Sequence, residues 1–327
     1  MKKNNCILTF AQRMKPVLLL QILLWTFTES LLAQPNMENT NHGASLCVSF
    51  ETVLPLSFKG TKPNVIQDTT HSLSPFFEKL KLLRDSAGME KPVVRIVHIG
   101  DSHVRSHEFT PALNFRLIEN FGNAAVGFIE GYKSEGIMEE NGSPGVICHC
   151  IGINGATSQN FLDDKYMTEI QSLQPDLIIV SLGTNEGFSK YDSADHYDMM
   201  DSLFSALKNC CPNVPILYTT PPGAFKTTYG HYRKNKRVYR KIVKVEENRN
   251  IEKSASTIVR FAGDHKEACW DLFNIAGGEK YACKNWLSGN YFQRDKVHFV
   301  SNGYALQGNL LYEALMEEYN EFIHSKY

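Results

Sequence analysis

Apolar residues along the chain recur in two patterns, short continuous runs and stripes at helical spacing. Val93–Ile99 is a run that ends at Gly100, and Val146–Ile153, Leu177–Leu182 and Val214–Thr219 repeat it. A shorter fifth run lies near Cys269–Phe273. Runs of this length bounded by turn residues read as strands buried on both faces. Between them, helical spacing predicts helices over Ser74–Asp85, His107–Phe121, Ala194–Lys208, Val238–Phe261 and Asn302–His324. Strands alternating with helices predict a three-layer α/β/α domain around a parallel sheet of about five strands. In such sheets ligands bind beyond the carboxyl ends of the strands, so the chemistry is sought there.

The segment before this pattern behaves differently. Lys2, Lys3, Arg13 and Lys15 precede an apolar stretch from Val17 to Thr28, and small Ala33 follows. That stretch is shorter than the roughly 20 residues a spanning helix needs, and its flanks fit a cleaved export signal. The expected organisation is a signal peptide over 1–33, an irregular polar lead-in over 34–73 and one domain over 74–327. Export to the periplasm or beyond follows as an expectation, with no stable membrane span in the mature chain.

Composition adds little beyond this. Hydrophobic residues make up 43% and charged residues 21% of the 327, enough apolar content for a sizeable core. Residues 34–327 carry 30 Lys and Arg against 34 Asp and Glu, a balance that does not suggest a nucleic-acid partner. They hold seven cysteines. Export permits disulfides, and Cys269 with Cys283 is the first candidate bridge; buried free thiols are the alternative. Cys148-His149-Cys150 looks like a metal site at a glance, but alternate residues of a strand face the same way, and His149 between the two cysteines would face the other side. No metal or organic cofactor is expected.

Four polar signatures stand where chemistry is expected. They are Gly100-Asp101-Ser102-His103, Asn154-Gly155-Ala156-Thr157-Ser158, Gly183-Thr184-Asn185-Glu186 and, before the last helix, Asp295-Lys296-Val297-His298. A serine hydroxyl needs a neighbouring base to become a nucleophile. Ser102 at a strand-to-helix turn is the candidate nucleophile, His298 the candidate base, and Asp295 the group that orients it. The amides of Ser102 and Gly155 and the side-chain amide of Asn185 are candidate oxyanion donors. Each piece alone also has a plain reading: Gly-Asp-Ser as a turn, Gly155 as a loop glycine, Asn185 as a helix cap, Asp295 and His298 as a surface pair. His103 and His107 compete with His298 as base.

In this order, the four segments resemble the sequence blocks of the SGNH (GDSL-type) hydrolase family, over roughly residues 75–320. Ser102 matches the block I serine, Gly155 the block II glycine, Asn185 the block III asparagine, and Asp295 with His298 the block V pair. The resemblance implies a flavodoxin-like sheet and ester hydrolysis without a cofactor, often of acetyl groups on carbohydrates. The segments Ile96–His103 and Gly183–Phe188 are similar to those of exported bacterial peptidoglycan O-acetylesterases, in which block I carries a histidine at the place of His103. Some of those enzymes have a carbohydrate-binding module between blocks I and II. Here only 52 residues separate Ser102 from Gly155, too few for such a domain. No Gly-x-Ser-x-Gly elbow surrounds Ser102, which argues against an α/β-hydrolase fold. Glu186 stands where relatives often have aspartate, in a place to buttress the Asn185 loop.

One further segment stands out by charge. Residues 226–249 contain nine Lys and Arg against two Glu, interleaved with Tyr229, Tyr232 and Tyr239. It is either a rim element that attracts an anionic glycan or a solvated loop entering an exposed helix. The expected activity is removal of a small acyl group from a glycan, peptidoglycan among the candidates, with an acylated glycan as partner. Transfer of that group to a sugar on the same site, and a silent glycan-binding protein of the same fold, are the alternatives.

Overall fold

A computed structural model describes residues 52, 54–85, 90–126, 138–234 and 238–325. The expected signal peptide, most of the lead-in before Leu54, and Cys47 lie outside the described residues. The sheet has six strands in the order β1-β8-β5-β4-β2-β3, from β1 (Ile66–Gln67), β2 (Val93–Gly100), β3 (Gly145–Gly152), β4 (Leu177–Ser181), β5 (Ile216–Thr219) and β8 (Ala268–Trp270). Five of them are parallel, as expected. The sixth, β1, is an antiparallel edge pairing Ile66 with Trp270 and Gln67 with Cys269. It comes from the segment read as irregular, because two residues of one strand leave no periodicity to detect.

Alternation along the strands divides the interior into two cores. Val94 and Ile96 of β2, Leu177 and Ile179 of β4, Leu217 of β5 and Trp270 of β8 point into one. Val97, Ile99, Ile178, Val180, Ile216, Tyr218 and Cys269 point into the other. Continuous apolar runs are what a sheet covered on both faces requires. The first face is covered by α1 (Ser74–Asp85), α3 (Phe109–Phe121), α9 (Gly278–Ser288) and the long α10 (Ser301–Ser325), and the second by α4 (Asp164–Ser172), α6 (Ser193–Cys210) and α7 (Arg249–Asp264). Short helices α2 (Ser102–Arg105), α5 (Thr184–Phe188) and α8 (Leu272–Ile275) follow directly on strands β2, β4 and β8. Asn64 ties the lead-in to the body, accepting from Trp270 Nε1 at 2.9 Å and donating to Leu310 O at 2.8 Å.

Three expectations are corrected. The helix expected over Val238–Phe261 begins only at Arg249, capped by Asn248. Residues before it form a hairpin of β6 (Phe225–Lys234) and β7 (Val238–Glu247), not a loop entering a helix. Val238, Ile242, Val243 and Val245 are β-branched, and such side chains lose rotamer freedom in a helix but pack well on a pleated strand. The fifth run is strand only over Ala268–Trp270, since Asp271 caps the helix that follows. Cys269 and Cys283 are both buried free thiols rather than a bridge. Cys269 lies in the core on β8, while Cys283 Sγ on α9 faces Ala224 O. Cys148 and His149 on β3 diverge as alternation requires: Cys148 sits in the first core and His149 Nδ1 accepts from the Met138 amide. No helix of the described residues is long and apolar enough to cross a membrane.

Candidate active site

Strand register sets the stage. Gly100 is level with Gly152 and with Ser181, and Ser181 with Thr219, so four parallel strands reach one line at their carboxyl ends. The chain leaves each of β2, β3 and β4 through one of the polar signatures. After β2, the Asp101 carboxylate accepts from the His103 amide at 2.8 Å and caps α2, which places Ser102 in the first helical position. Ser102 Oγ lies 2.9 Å from His298 Nε2, and His298 Nδ1 lies 2.7 Å from Asp295 Oδ2.

The second part of this relay is a local turn. Asp295 Oδ1 accepts the amides of Val297 at 2.9 Å and His298 at 3.0 Å, and Lys296 takes a φ of +58° at the tip. One carboxylate therefore shapes the loop with one oxygen and holds the imidazole with the other. The Gln293 amide donates to His298 O at 2.8 Å and closes the loop from its other side. Burial pushes the Asp295 carboxyl up, but the bonds from the His298 ring and the two amides outweigh it and hold it below the ordinary aspartate value. An ionised Asp295 fixes the proton of His298 on Nδ1 and leaves the Nε2 lone pair for the Ser102 hydroxyl.

Asn185 joins the other two signatures. Its Nδ2 donates to Ala156 O at 2.9 Å and to Asp101 Oδ2 at 3.2 Å, so it bridges the turn before Ser102 and the loop of Gly155. Gly155 has a φ of +73° and is exposed; a Cβ there would meet nothing within 4 Å. Its backbone angle, not the lack of room, is what calls for glycine. Among the described residues no backbone acceptor meets the Ser102 or Gly155 amide. Glu186 is buried under this arrangement, accepting from Ser158 N at 3.1 Å and Gly183 N at 3.0 Å. It ties the loop after β3 to the loop after β4, the buttress expected of it, and burial raises its carboxyl to about 7.

His103 does not reach the serine oxygen as a base. Its Nδ1 pairs with Tyr304 Oη at 3.0 Å, and its ring flanks that of His298 with centroids 5.4 Å apart. Burial lowers it to about 3, so it is a neutral neighbour. Several polar residues here had no separate role in the sequence reading. Asp101 is fully buried, with its carboxyl pushed up to about 7 by burial against the bonds from His103 and Thr184. His98 lies inside an apolar strand, where it joins Thr110 Oγ1 at 2.9 Å to Ser181 Oγ at 2.7 Å, and Ser181 continues to Thr219. Asp101 was findable, since aspartate before a short helix is a cap signal. Nothing in a run of valines and isoleucines marks a histidine as part of a hydroxyl chain.

Chemically, this arrangement can take a proton from a serine hydroxyl and surround a carbonyl oxygen with N–H donors. The chain is similar to several solved structures. A peptidoglycan O-acetylesterase is similar with a TM-score of 0.63 at 19% identity, covering 80% of this chain and 99% of that one. An acetyl-xylooligosaccharide esterase mutant from Geobacillus Stearmophilus aligns with a TM-score of 0.41 at 15% identity, over 69% of this chain and 94% of its own. No curated protein sequence matches. The model of the GDSL-like lipase/acylhydrolase family matches residues 135–306, which include Gly155, Asn185, Asp295 and His298 and begin after Ser102. That match spans more than half of the chain, so this protein belongs to the GDSL-like lipase/acylhydrolase family and is a carboxylic ester hydrolase.

Proposed function

We propose that the protein removes O-acetyl groups from a carbohydrate after export, with Ser102 as nucleophile. The observation that carries the reading is the unbroken relay from Ser102 Oγ through His298 to Asp295 Oδ2, at 2.9 and 2.7 Å. Ser102 attacks the ester carbonyl as His298 Nε2 takes its proton, and Asp295 stabilises the imidazolium without being protonated. The oxyanion is received by the amides of Ser102 and Gly155 and by Asn185 Nδ2, whose longer bond to Asp101 is the one it gives up. The proton passes from His298 to the leaving sugar oxygen. Water, deprotonated by the same nitrogen, then releases acetate from the acyl-serine.

A small acyl group on a glycan is supported by the likeness in fold to a peptidoglycan O-acetylesterase, and peptidoglycan is the first polymer to try. The test is acetate release by the purified mature protein from O-acetylated peptidoglycan, acetylated xylan and p-nitrophenyl acetate. Release that disappears in Ser102→Ala upholds the proposal; full activity in that variant, or release of only longer acyl chains by the wild type, overturns it.

A further inference from the structure

The last helix stands behind the nucleophile turn at two places. Tyr304 Oη pairs with His103 Nδ1 at 3.0 Å, and Gln307, three residues further along α10, lines a small cavity together with Asp101. Positions three apart lie on one face of a helix, so α10 backs both neighbours of Ser102 at once. Close packing holds it there. A Cβ on Gly308 would stand 2.6 Å from Ala112 Cβ and 2.7 Å from Phe109 O, so α10 meets α3 at backbone distance.

Asp101, Ser181, Thr184, Thr219, Thr220 and Gln307 bring polar side chains to the wall of this cavity. Its volume is about 20 Å³, against the roughly 10–15 Å³ that a single water needs. Gln307 is 1% exposed, and its Nε2 has no hydrogen-bond partner among the described residues. Native interiors rarely leave such a donor unpaired, because a buried amide without a partner has given up its hydration for nothing. Cavity size and orphaned amide both fit a bound water. Asp101 is where that water acts. Its buried carboxylate accepts from His103 N at 2.8 Å and from Asn185 Nδ2 at 3.2 Å. The proposed reaction asks Asn185 Nδ2 to leave Asp101 for the oxyanion, and a buried carboxylate that loses a donor is costly unless another takes its place.

We propose that the cavity holds one water, bound by the Gln307 amide, which donates to the Asp101 carboxylate when Asn185 turns to the oxyanion. Gln307 is then a positioning residue: it touches no reacting atom and acts through the water and Asp101. The inference rests on the reading above that Asn185 is an oxyanion donor, and it names what replaces the bond that Asn185 gives up.

The water is sought in crystals of the mature wild-type protein, free and with a phosphonate ester bound to Ser102, whose P–O oxygen stands for the oxyanion. The expected result is an ordered water within hydrogen-bond distance of Gln307 in the free protein. In the adduct Asn185 Nδ2 should lie on the phosphonyl oxygen and the water on Asp101. The kinetic arm uses p-nitrophenyl acetate. Gln307→Met keeps the length of the side chain without the amide and should lower kcat by roughly tenfold, the cost of one bond to a buried charge left unreplaced, with KM unchanged. Gln307→Glu keeps a hydrogen-bonding end of the same reach and should recover most of that loss. A wild-type cavity without water overturns the proposal, and this result needs no variant to fold. So does an adduct in which Asn185 has turned but no water meets Asp101. Wild-type kcat in Gln307→Met, or an equal loss in Gln307→Glu, overturns it as well. An adduct that leaves Asn185 on Asp101 counts instead against Asn185 as an oxyanion donor, and failure of the phosphonate to modify Ser102 counts against the nucleophile.

Discussion

Replacing Asp295 by Asn separates the two jobs of that side chain. The remaining Oδ1 can still accept the amides of Val297 and His298, so the turn keeps its shape. The oxygen facing His298 Nδ1 becomes an NH2 group, which cannot accept that proton and favours the wrong tautomer. The loss is smaller than for a buried relay, because 34% of the His298 side chain and 48% of the Asp295 side chain are exposed. Unit charges about 4 Å apart interact by about 1 kcal/mol in water and about 4 kcal/mol at the effective dielectric of a protein surface. An imidazolium one-third exposed, beside a half-exposed carboxylate, therefore loses about 2–4 kcal/mol, or roughly 30- to 1,000-fold in kcat. Stability should change by no more than about 0.5 kcal/mol, as for other exposed substitutions. Steady-state hydrolysis of p-nitrophenyl acetate and thermal unfolding on the same preparation read both quantities. A kcat within threefold of wild type would refute the role given to Asp295. A large drop in melting temperature would refute the separation of its two jobs.

Asn185→Ala should lower kcat by about 100- to 1,000-fold, the cost of one oxyanion donor, with little change in KM; a kcat within threefold of wild type on p-nitrophenyl acetate would remove Asn185 from the site. His103→Leu should change how stability responds to acid. Burial lowers His103 to about 3, so the folded state keeps it neutral while the unfolded chain takes up a proton as pH falls through about 6.5. Its contribution is thus fully present above that pH and about 2 kcal/mol smaller by pH 5. Denaturant unfolding at pH 7 and pH 5 should show the variant losing about 2 kcal/mol less than wild type over that interval; equal losses would mean that the histidine is not held neutral.

The sheet and the site residues were legible for the same reason. Val93–Ile99 and Leu177–Leu182 are predominantly apolar because helices cover both faces of the sheet, and the polar signatures follow because strands end where the chain must turn. Ser102 could be proposed because it lies at such an end, and Asp295 with His298 because they stand three residues apart just before the last helix, although 196 positions separate serine from histidine. The hairpin was misread because Val238, Ile242 and Val245 fall at helical spacing as readily as at strand spacing. Only β-branching and the Asn248 cap pointed the other way. Ile66–Gln67 was too short to read, and the Cys269–Cys283 pairing failed because sequence spacing says nothing about which elements carry two thiols. The chain of His98, Ser181 and Thr219 links three strands, and no local pattern encodes a bond between them.

The most direct test of the central claim is to trap the acyl-enzyme. Wild-type protein is mixed with p-nitrophenyl acetate, quenched in acid within the first turnover and digested for peptide mass mapping. The expected result is an acetyl adduct on the peptide containing Ser102, confined to that serine and absent from Ser102→Ala. An adduct on another residue, or turnover by Ser102→Ala at the wild-type rate, would contradict the assignment of Ser102 as the nucleophile.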